Sequence, residues 1–251
     1  MKSGIIERLS KYLVGCKGDV RFHGNAELQH STLQSYLASL IQFDCPDAYS
    51  VAGDAVCIIE HFEFDSTQST KKGSKSKRVV DRIDKGFSKV KPTEEGVALR
   101  DYSYDAHHNA YNYIKNVLHN LNNHYVKIDT YTANLKKKGV ISDTQSLEIG
   151  FFIEDTTILG NVYDAGGWPQ PVTPVILPYC KQFLDAFEKC VKLDFCLCAS
   201  SYSSTDFLWF INRASINDYR VHQIDLETIT IIDFQPKVTG FKIVVPNEKV
   251  T

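Results

Sequence analysis

The chain has 251 residues, of which 43% are hydrophobic, 23% charged and 12% aromatic, and its net charge is −2. These values are typical of a globular protein with a substantial core and exclude disorder over most of the length. Charges at Glu7, Arg8 and Lys11 interrupt the apolar start, which argues against a secretory signal. No window approaches the roughly 18 apolar residues of a membrane span. We therefore expect a soluble, cytoplasmic protein without a membrane partner.

The first half of the chain is predicted to contain two helices followed by a β-hairpin. Apolar residues at helical spacing predict helices over residues 4–14 and 26–42. Alternating residues predict strands over 48–51 and 55–64, joined by a turn at Gly53-Asp54. Because the strands of a hairpin lie side by side, the start of the first should approach the end of the second.

A basic segment follows this hairpin. Residues 66–91 contain nine Lys/Arg and two Asp, a charge of +7, which leaves 19 basic and 28 acidic residues, or −9, elsewhere. The part 66–78 is rich in Ser, Thr, Lys and Gly and has little to bury, so we expect a mobile loop. Residues 79–91 either form a basic helix or are irregular. A cationic segment on an acidic body predicts an anionic partner, most commonly one that carries phosphate.

The remaining chain alternates helices and strands. A long helix is predicted over 104–125, continuing after a bend to 135. The later predicted elements are a strand at 147–158, a rigid loop at 166–174, a helix at 178–191, a hairpin of strands 194–199 and 207–213, and strands at 226–234 and 239–245 around a turn at Pro236. We therefore predict a single α+β domain over 1–251, with a central mixed sheet flanked by helices and a candidate subdomain boundary near residue 140.

One carboxylate interrupts the apolar face of the strand predicted over 55–64. Glu60 shares this face with Val56, Ile58, Phe62 and Phe64. An unpaired buried carboxylate is costly, so Glu60 should be protonated, paired or bound to a cation. The other face ends in His61, Glu63 and Asp65, which we expect to face solvent on an edge strand.

Other carboxylates are predicted to lie near Glu60. Asp47 opens the strand that should pair with the Glu60 strand, and Glu27 lies on the preceding helix. A hard cation such as Mg²⁺ prefers a few carboxylates from different elements together with water and substrate phosphate. The sequence therefore predicts a metal site with Asp47 and Glu60 as ligands and Glu27 as an accessory ligand.

This arrangement resembles the core of PD-(D/E)XK nucleases over residues 26–65. The resemblance rests on a helix bearing Glu27, then Pro46-Asp47, a turn, and a strand that carries Glu60. It implies a restriction-endonuclease-like core that uses Mg²⁺ or Mn²⁺ to hydrolyse DNA or RNA, with Asp47 and Glu60 as catalytic metal ligands. Members of that family carry a lysine where this chain has Phe62.

A lysine from the basic loop is the candidate replacement for the missing one. We assign this catalytic role to Lys72, with Lys71 and Lys75 as alternatives. The residues expected to bind nucleic-acid phosphate are Lys71, Lys72, Lys75, Lys77 and Arg78. Two functions stay open: a metal-dependent nuclease or nuclease-like nucleic-acid-binding protein, and a non-enzymatic interaction protein whose basic loop binds an acidic partner or nucleic acid.

Three further groups of residues are predicted to be structural. The histidines of the long helix (His107, His108, His119 and His124) should form a polar face. An acid–base role for one of them stays open as an alternative. Glu154 and Asp155 are expected to be solvated at a strand end. The seven cysteines include no CxxC pair, which predicts reduced, largely buried thiols and no structural zinc.

Overall fold

The computed structural model describes residues 4–24, 26–67, 69–70, 73–74, 78–79, 82, 85, 98–105, 109–157, 159–162, 175–202, 205–228, 232–234 and 237–244. The helices are α1 (Ile5–Gly15), α2 (Ala26–Ala38), α3 (Ala110–Tyr125), α4 (Ile128–Lys137), α5 (Lys181–Lys189) and α6 (Ile216–Arg220), with a 3₁₀ turn at Leu177–Tyr179. The strands are β1 (Val20–Arg21), β2 (Ile41–Gln42), β3 (Ala48–Ala52), β4 (Ala55–Phe64), β5 (Ser69–Thr70), β6 (Gly73–Ser74), β7 (Ala98–Asp105), β8 (Ser146–Asp155), β9 (Leu159–Val162), β10 (Phe195–Tyr202), β11 (Thr205–Asn212), β12 (Ile232–Phe234) and β13 (Lys237–Val244).

Seven of these strands form a mixed central sheet in the order β1-β11-β10-β8-β4-β3-β2. The inner strands β4, β8 and β10 are parallel, and the hairpins β3–β4 and β10–β11 add antiparallel neighbours on either side. Parallel neighbours need a crossover connection, and the chain supplies one through α3 and α4 and another through α5. The predicted α+β class with a mixed sheet and flanking helices is confirmed.

Both faces of the sheet are covered. One face packs against α3, α4, α5 and α6 through a core that includes Val117, Tyr131 and Phe183. The other packs against α1 and α2 through a smaller core that includes Leu9 and Tyr36. The inner strands are therefore buried on both sides, which agrees with the apolar runs in β4, β8 and β10. Strands from both sides of residue 140 lie in this one sheet.

The predicted β3–β4 hairpin is confirmed together with its turn. Ala52 pairs with Ala55, so only Gly53 and Asp54 form the loop. Gly53 has a φ of +61°, a left-handed conformation that glycine adopts without steric cost. The two-residue loop fixes the register of the whole hairpin, including the residues at its open end.

Several predicted boundaries are wrong. In each case, residues near the end of a predicted element pair as a strand with another segment of the chain. The predicted helix 26–42 ends at Ala38, and β2 then pairs with β3. Residues 104–105, predicted as helix, belong to β7, which pairs with β13. Helix α3 begins at Ala110, after Asn109, whose side chain caps the helix by accepting a hydrogen bond from the N–H of Asn112 at 2.8 Å. Within the predicted strand 226–234, residues 226–228 form a turn, residues 229–231 lie outside the described residues, and residues 232–234 form β12, which pairs with β9.

The other predicted elements agree more closely. Helices α1, α4 and α5, the strand β8 and the hairpin β10–β11 lie where they were predicted, within a few residues. The loop 166–174 and most of 66–91 lie outside the described residues, although β5 and β6 form a small antiparallel pair within 66–78. None of the described helices combines the length and the apolar character needed to span a lipid bilayer.

Glycine at position 150 is required by close packing between β8 and β10. Gly150 pairs in register with Phe195, and a Cβ atom added at Gly150 would overlap the Phe195 ring. We expect Gly150→Ala to lower the free energy of unfolding by about 1–3 kcal/mol, the usual cost of overpacking. Chemical denaturation measures this. The double variant with Phe195→Leu should recover part of the loss. If the losses of the two single variants simply added in the double variant, the two residues would not compete for space.

Candidate active site

Asp47 and Glu60 lie opposite each other at the open end of the β3–β4 hairpin. The register pairs Ala48 with Ile59, which places Asp47, just before β3, beside Glu60. The main-chain N–H of Asp47 donates to Glu60 Oε2 at 3.2 Å, and the N–H of His61 donates to Asp47 Oδ2 at 2.8 Å. The structure therefore brings the two predicted metal ligands together, each held by the main chain of the other's strand.

The remaining oxygen of Glu60 is bound by two helices. The Tyr131 hydroxyl of α4 donates to Glu60 Oε1 at 2.9 Å, and His124 Nδ1 of α3 lies 3.0 Å from the same oxygen. Glu60 is only 9% exposed. The sequence predicted that a carboxylate on this apolar face would need a partner, and Glu60 has three. Hydrogen bonds from Asp47, α3 and α4 offset the cost of its burial.

The two carboxylates influence each other electrostatically. Burial, together with the negative charge of Glu60, raises the pKa of Asp47 above its ordinary value, although the His61 N–H opposes this shift. Burial and the same charge raise the pKa of Tyr131 far above its ordinary value. The phenol therefore keeps its proton and remains a donor to Glu60. Two carboxylates this close favour a shared proton or a bound cation.

Phe62 occupies the position at which the family resemblance expects a lysine. Its buried ring stacks on the imidazole of His124, with centroids 5.0 Å apart and planes inclined by 22°. This stack and the hydrogen bond to Glu60 together fix the plane of the imidazole. The His124 side chain is 20% exposed, and its Nε2 makes no hydrogen bond within the described part of the chain. The nitrogen group beside Glu60 therefore comes from a helix and not from β4.

The other predicted ligands are only partly described. Glu27 lies in α2, but its side chain is outside the described part of the structure. Lys71, Lys72, Lys75 and Lys77 lie outside the described residues, and Arg78 is exposed. Among the described residues, no three His, Cys, Asp or Glu side chains converge in a group able to hold a metal. A cation at this place would thus have Asp47 and Glu60 as its described protein ligands.

His61 points to the opposite face of the sheet and enters a second ionic network. Its Nε2 lies 2.6 Å from Glu154 Oε2, and Arg8 Nη1 of α1 donates to the same oxygen at 2.7 Å and to Glu63 at 3.4 Å. The expected solvent exposure of His61 and Glu154 is wrong, because β4 and β8 are both inner strands of a sheet whose two faces are covered. Glu63 is half-buried in the same network.

Two further carboxylates are buried where β4 and β8 end. Asp65 and Asp155 are 4% and 5% exposed, so the prediction that they face solvent is also wrong. Asp65 Oδ1 accepts from the N–H and hydroxyl of Thr67 at 2.9 and 2.6 Å, and Asp155 Oδ2 accepts from the Tyr113 hydroxyl at 2.5 Å. Burial raises the pKa of Asp155 to about 6 despite these donors. Helix α3 contacts both residues, since Tyr113 binds the Asp155 carboxylate and Asn116 binds the main-chain carbonyl of Asp65.

The predicted polar histidine face is confirmed at His119, and the predicted burial of most cysteines is confirmed as well. His119 is exposed and accepts a hydrogen bond from Asn123 at 2.9 Å, which fits a polar helix face. His124 turns from that face toward Glu60, and His107 and His108 lie outside the described residues. All seven cysteines are free thiols, and five of them are buried.

The Arg8 network predicts a pH-dependent contribution to stability. Burial alone would raise the pKa of Glu154, but the hydrogen bonds and charges of His61 and Arg8 outweigh it and lower the pKa. This stabilisation is present above the unfolded pKa of the carboxyl and is lost as the pH falls through the folded value. We expect Arg8→Met to lower the free energy of unfolding at pH 7 by about 2 kcal/mol.

Denaturation at several pH values measures this effect, and the loss should shrink below about pH 4. Lys192→Met is the control, because Lys192 is an exposed lysine whose partner Asp129 is also exposed. That change should have an effect of at most about 0.5 kcal/mol. Equal losses in the two variants would contradict a specific role for the Arg8 network.

Asp155 should give the free energy of unfolding a pH dependence opposite to that from Glu154. Its folded pKa of about 6 lies above the ordinary 3.8, so the folded state binds the proton more tightly than the unfolded state. The free energy of unfolding should therefore fall as the pH rises through this interval, by on the order of 1–3 kcal/mol. Asp155→Asn should remove this decline in denaturation series between pH 4 and 7. Asp143→Asn is the control, since Asp143 is exposed and its pKa is lowered by Lys136. A decline of unchanged slope in Asp155→Asn would refute the assignment.

No family model, curated protein or solved structure matches this chain. The resemblance to PD-(D/E)XK nucleases therefore stays a prediction. It rests on the residues named above: Asp47 before one strand of a hairpin, Glu60 within the other, and a helix that precedes them both. The case for a function has to come from the chemistry of the site itself.

Proposed function

We propose that the protein is a metal-dependent nuclease, or a nuclease-like nucleic-acid-binding protein, whose site is the Asp47–Glu60 pair. The observation that carries the proposal is the placement of two carboxylates side by side at the open end of one hairpin, mostly withdrawn from water. Each is oriented by a main-chain N–H, so the pair has a defined geometry. Ordered carboxylates from neighbouring strands suit a hard divalent cation.

The electrostatics of the pair support a bound cation. The raised pKa of Asp47 reflects burial and the charge of Glu60, and a positive ion would relieve both sources of unfavourable energy. Asp47 Oδ2 and both oxygens of Glu60 accept hydrogen bonds, whereas Asp47 Oδ1 accepts none within the described part of the chain. This oxygen, with the remaining lone pairs of Glu60, fits a site that completes its coordination with water and substrate phosphate.

A divalent cation at such a site lowers the pKa of bound water and polarises a phosphodiester. The residues around Glu60 hold the carboxylate in place. Tyr131 keeps its proton and fixes Glu60 Oε1, and His124 binds the same oxygen. His124 also stacks on Phe62, at the position where the resemblance expects a lysine. We assign to His124 the catalytic role that the sequence assigned to Lys72.

The charge distribution supports a polyanionic substrate. The segment 66–91 carries +7 and the rest of the chain −9. A polyanion would be repelled by most of the surface and attracted to this one segment. The start of the segment is anchored on the side of the sheet that α3 covers, since Asn116 Nδ2 of α3 donates to the carbonyl oxygens of Asp65 and Thr67 at 2.8 Å. This is the side of the sheet on which Glu60 lies.

The proposal predicts Mg²⁺- or Mn²⁺-dependent cleavage of DNA or RNA. Purified protein is incubated with labelled single- and double-stranded substrates, and cleavage is measured with each metal and with EDTA. Glu60→Gln and Asp47→Asn should each lower the rate by at least about 100-fold, since even the outer partners of metal ligands are typically worth 10–100-fold. Glu7→Gln, at an exposed glutamate of α1, should leave the rate unchanged.

Wild-type protein that neither cleaves these substrates nor binds Mn²⁺ would contradict catalysis at this site. Nucleic-acid binding that weakens with salt, persists in Glu60→Gln and occurs without cleavage would instead favour the non-enzymatic interaction protein. Loss of activity in Glu7→Gln equal to that in Glu60→Gln would show that the assay reports general damage and not the carboxylate pair.

A further inference from the structure

His23, which follows the edge strand β1, is held by aromatic residues from three other elements. Its imidazole stacks on Trp209 of β11, with centroids 5.6 Å apart and planes inclined by 27°. It lies nearly perpendicular to the ring of Tyr219 of α6, with centroids 4.8 Å apart. Its Nε2 is 3.1 Å from the hydroxyl of Tyr179 in the 3₁₀ turn. These contacts fix the orientation of the ring, and the hydrogen bond at Nε2 leaves Nδ1 as the nitrogen for a further partner.

A second histidine, His222, stands beside this ring. The two imidazole centroids are 5.5 Å apart, and the ring planes are inclined by 34°. His222 is exposed and lies just after α6, where its main-chain N–H donates to the carbonyl of Tyr219 at 3.1 Å. Two residues further on, the N–H of Ile224 donates to the carbonyl of Tyr179 at 2.6 Å. The main chain that carries His222 is therefore bonded to the turn that holds His23.

An exposed carboxylate lies next to the two histidines. Asp218 of α6 comes four residues before His222, a spacing that places both on the same side of a helical turn. Gly24, the residue after His23, leaves room for this carboxylate, since a Cβ atom added at Gly24 would stand 2.5 Å from Asp218 Oδ2. The two imidazoles therefore share one corner of the surface with a negative charge, which favours a cation there.

We propose that His23 and His222 together bind a divalent transition-metal ion, with Asp218 as the neighbouring negative charge. Two imidazoles that bind one metal at about 2.1 Å and at a tetrahedral angle have ring centres roughly 5 Å apart. The observed separation of 5.5 Å is close to this value. Imidazole suits Zn²⁺, Ni²⁺ and Cu²⁺, whereas a carboxylate pair suits Mg²⁺. The inference therefore concerns a second site and does not depend on the function proposed for Asp47 and Glu60.

The surroundings of His23 are those of a metal ligand. A metal-binding histidine usually donates its other ring N–H to an oxygen atom, which fixes the tautomer and the ring orientation. The Tyr179 hydroxyl occupies this place at His23 Nε2. Within the described part of the chain, no third His, Cys, Asp or Glu side chain converges with the two imidazoles. The pair thus supplies two bonds and leaves the remaining coordination positions to water or to an outside ligand, so we expect an open site from which chelators remove the ion.

Titration with Ni²⁺ measures the binding directly, because imidazole suits this ion and thiolates select Zn²⁺ more strongly. The metal-free full chain is titrated in a calorimeter above pH 7, where most histidines are neutral. His222→Ala should raise the Kd at least about tenfold, and so should His23→Phe, which keeps an aromatic ring against Trp209 but removes the nitrogens. The matched control is His119→Ala, at an exposed histidine of α3, which should change the Kd by less than about twofold. Glu60→Gln should also leave Ni²⁺ binding unchanged.

Several outcomes would overturn the inference. Wild type that binds no Ni²⁺ would do so, and so would a wild-type Kd in either histidine variant whose circular dichroism spectrum shows a native fold. An equal loss in His119→Ala would show that the ion binds exposed histidines in general. Loss of binding in Glu60→Gln would place the ion at the carboxylate pair instead. Failure of the proposed function looks different, because absence of Mg²⁺-dependent cleavage leaves the dependence of Ni²⁺ binding on His23 and His222 unchanged.

Discussion

The structure depends on one strand that is buried on both faces and yet carries ionisable side chains. β4 lies between β3 and β8, with helices above and below it. Its consecutive residues Glu60 and His61 point to opposite faces, and each has to find a partner because neither reaches bulk water freely. The partners come from helices and from neighbouring strands, so satisfying these two groups also fixes how the layers assemble.

The two faces solve this problem in different ways. On the sheet face that α1 covers, Arg8 pairs with Glu154 and Glu63, and His61 also binds Glu154. On the face that α3 covers, Glu60 is bound by a phenol and an imidazole and has another carboxylate, Asp47, beside it. The first arrangement includes an arginine as the counter-ion of its carboxylates. The second keeps an excess of negative charge in a half-buried place, which is the state expected of a binding site and costly in a purely structural one.

Local sequence patterns predicted the hairpin and its carboxylates, because short-range signals determine them. The Gly53-Asp54 turn and the alternation in 55–64 were enough to place Asp47 beside Glu60. The wrong predictions share another cause. Whether β4 is an edge or an inner strand depends on its pairing with β8, about ninety residues away, so the burial of Asp65 and Glu154 had no local signal. The choice of His124 among four histidines depends likewise on how α3 lies along β4. Residues 104–105 were predicted as helix because their pairing with β13 is more distant still.

The two-residue turn of the β3–β4 hairpin has a consequence for how this sequence can change over evolutionary time. Asp47 and Glu60 meet only through strand register, and a shift of one residue would turn the whole set of side chains on β3 to the opposite face. Substitutions at Asp54 leave that register intact, whereas a single insertion or deletion in the turn separates the two carboxylates without changing either one. Sequence length between Asp47 and Glu60, more than the identity of the residues between them, is therefore the quantity that selection on this site would hold constant.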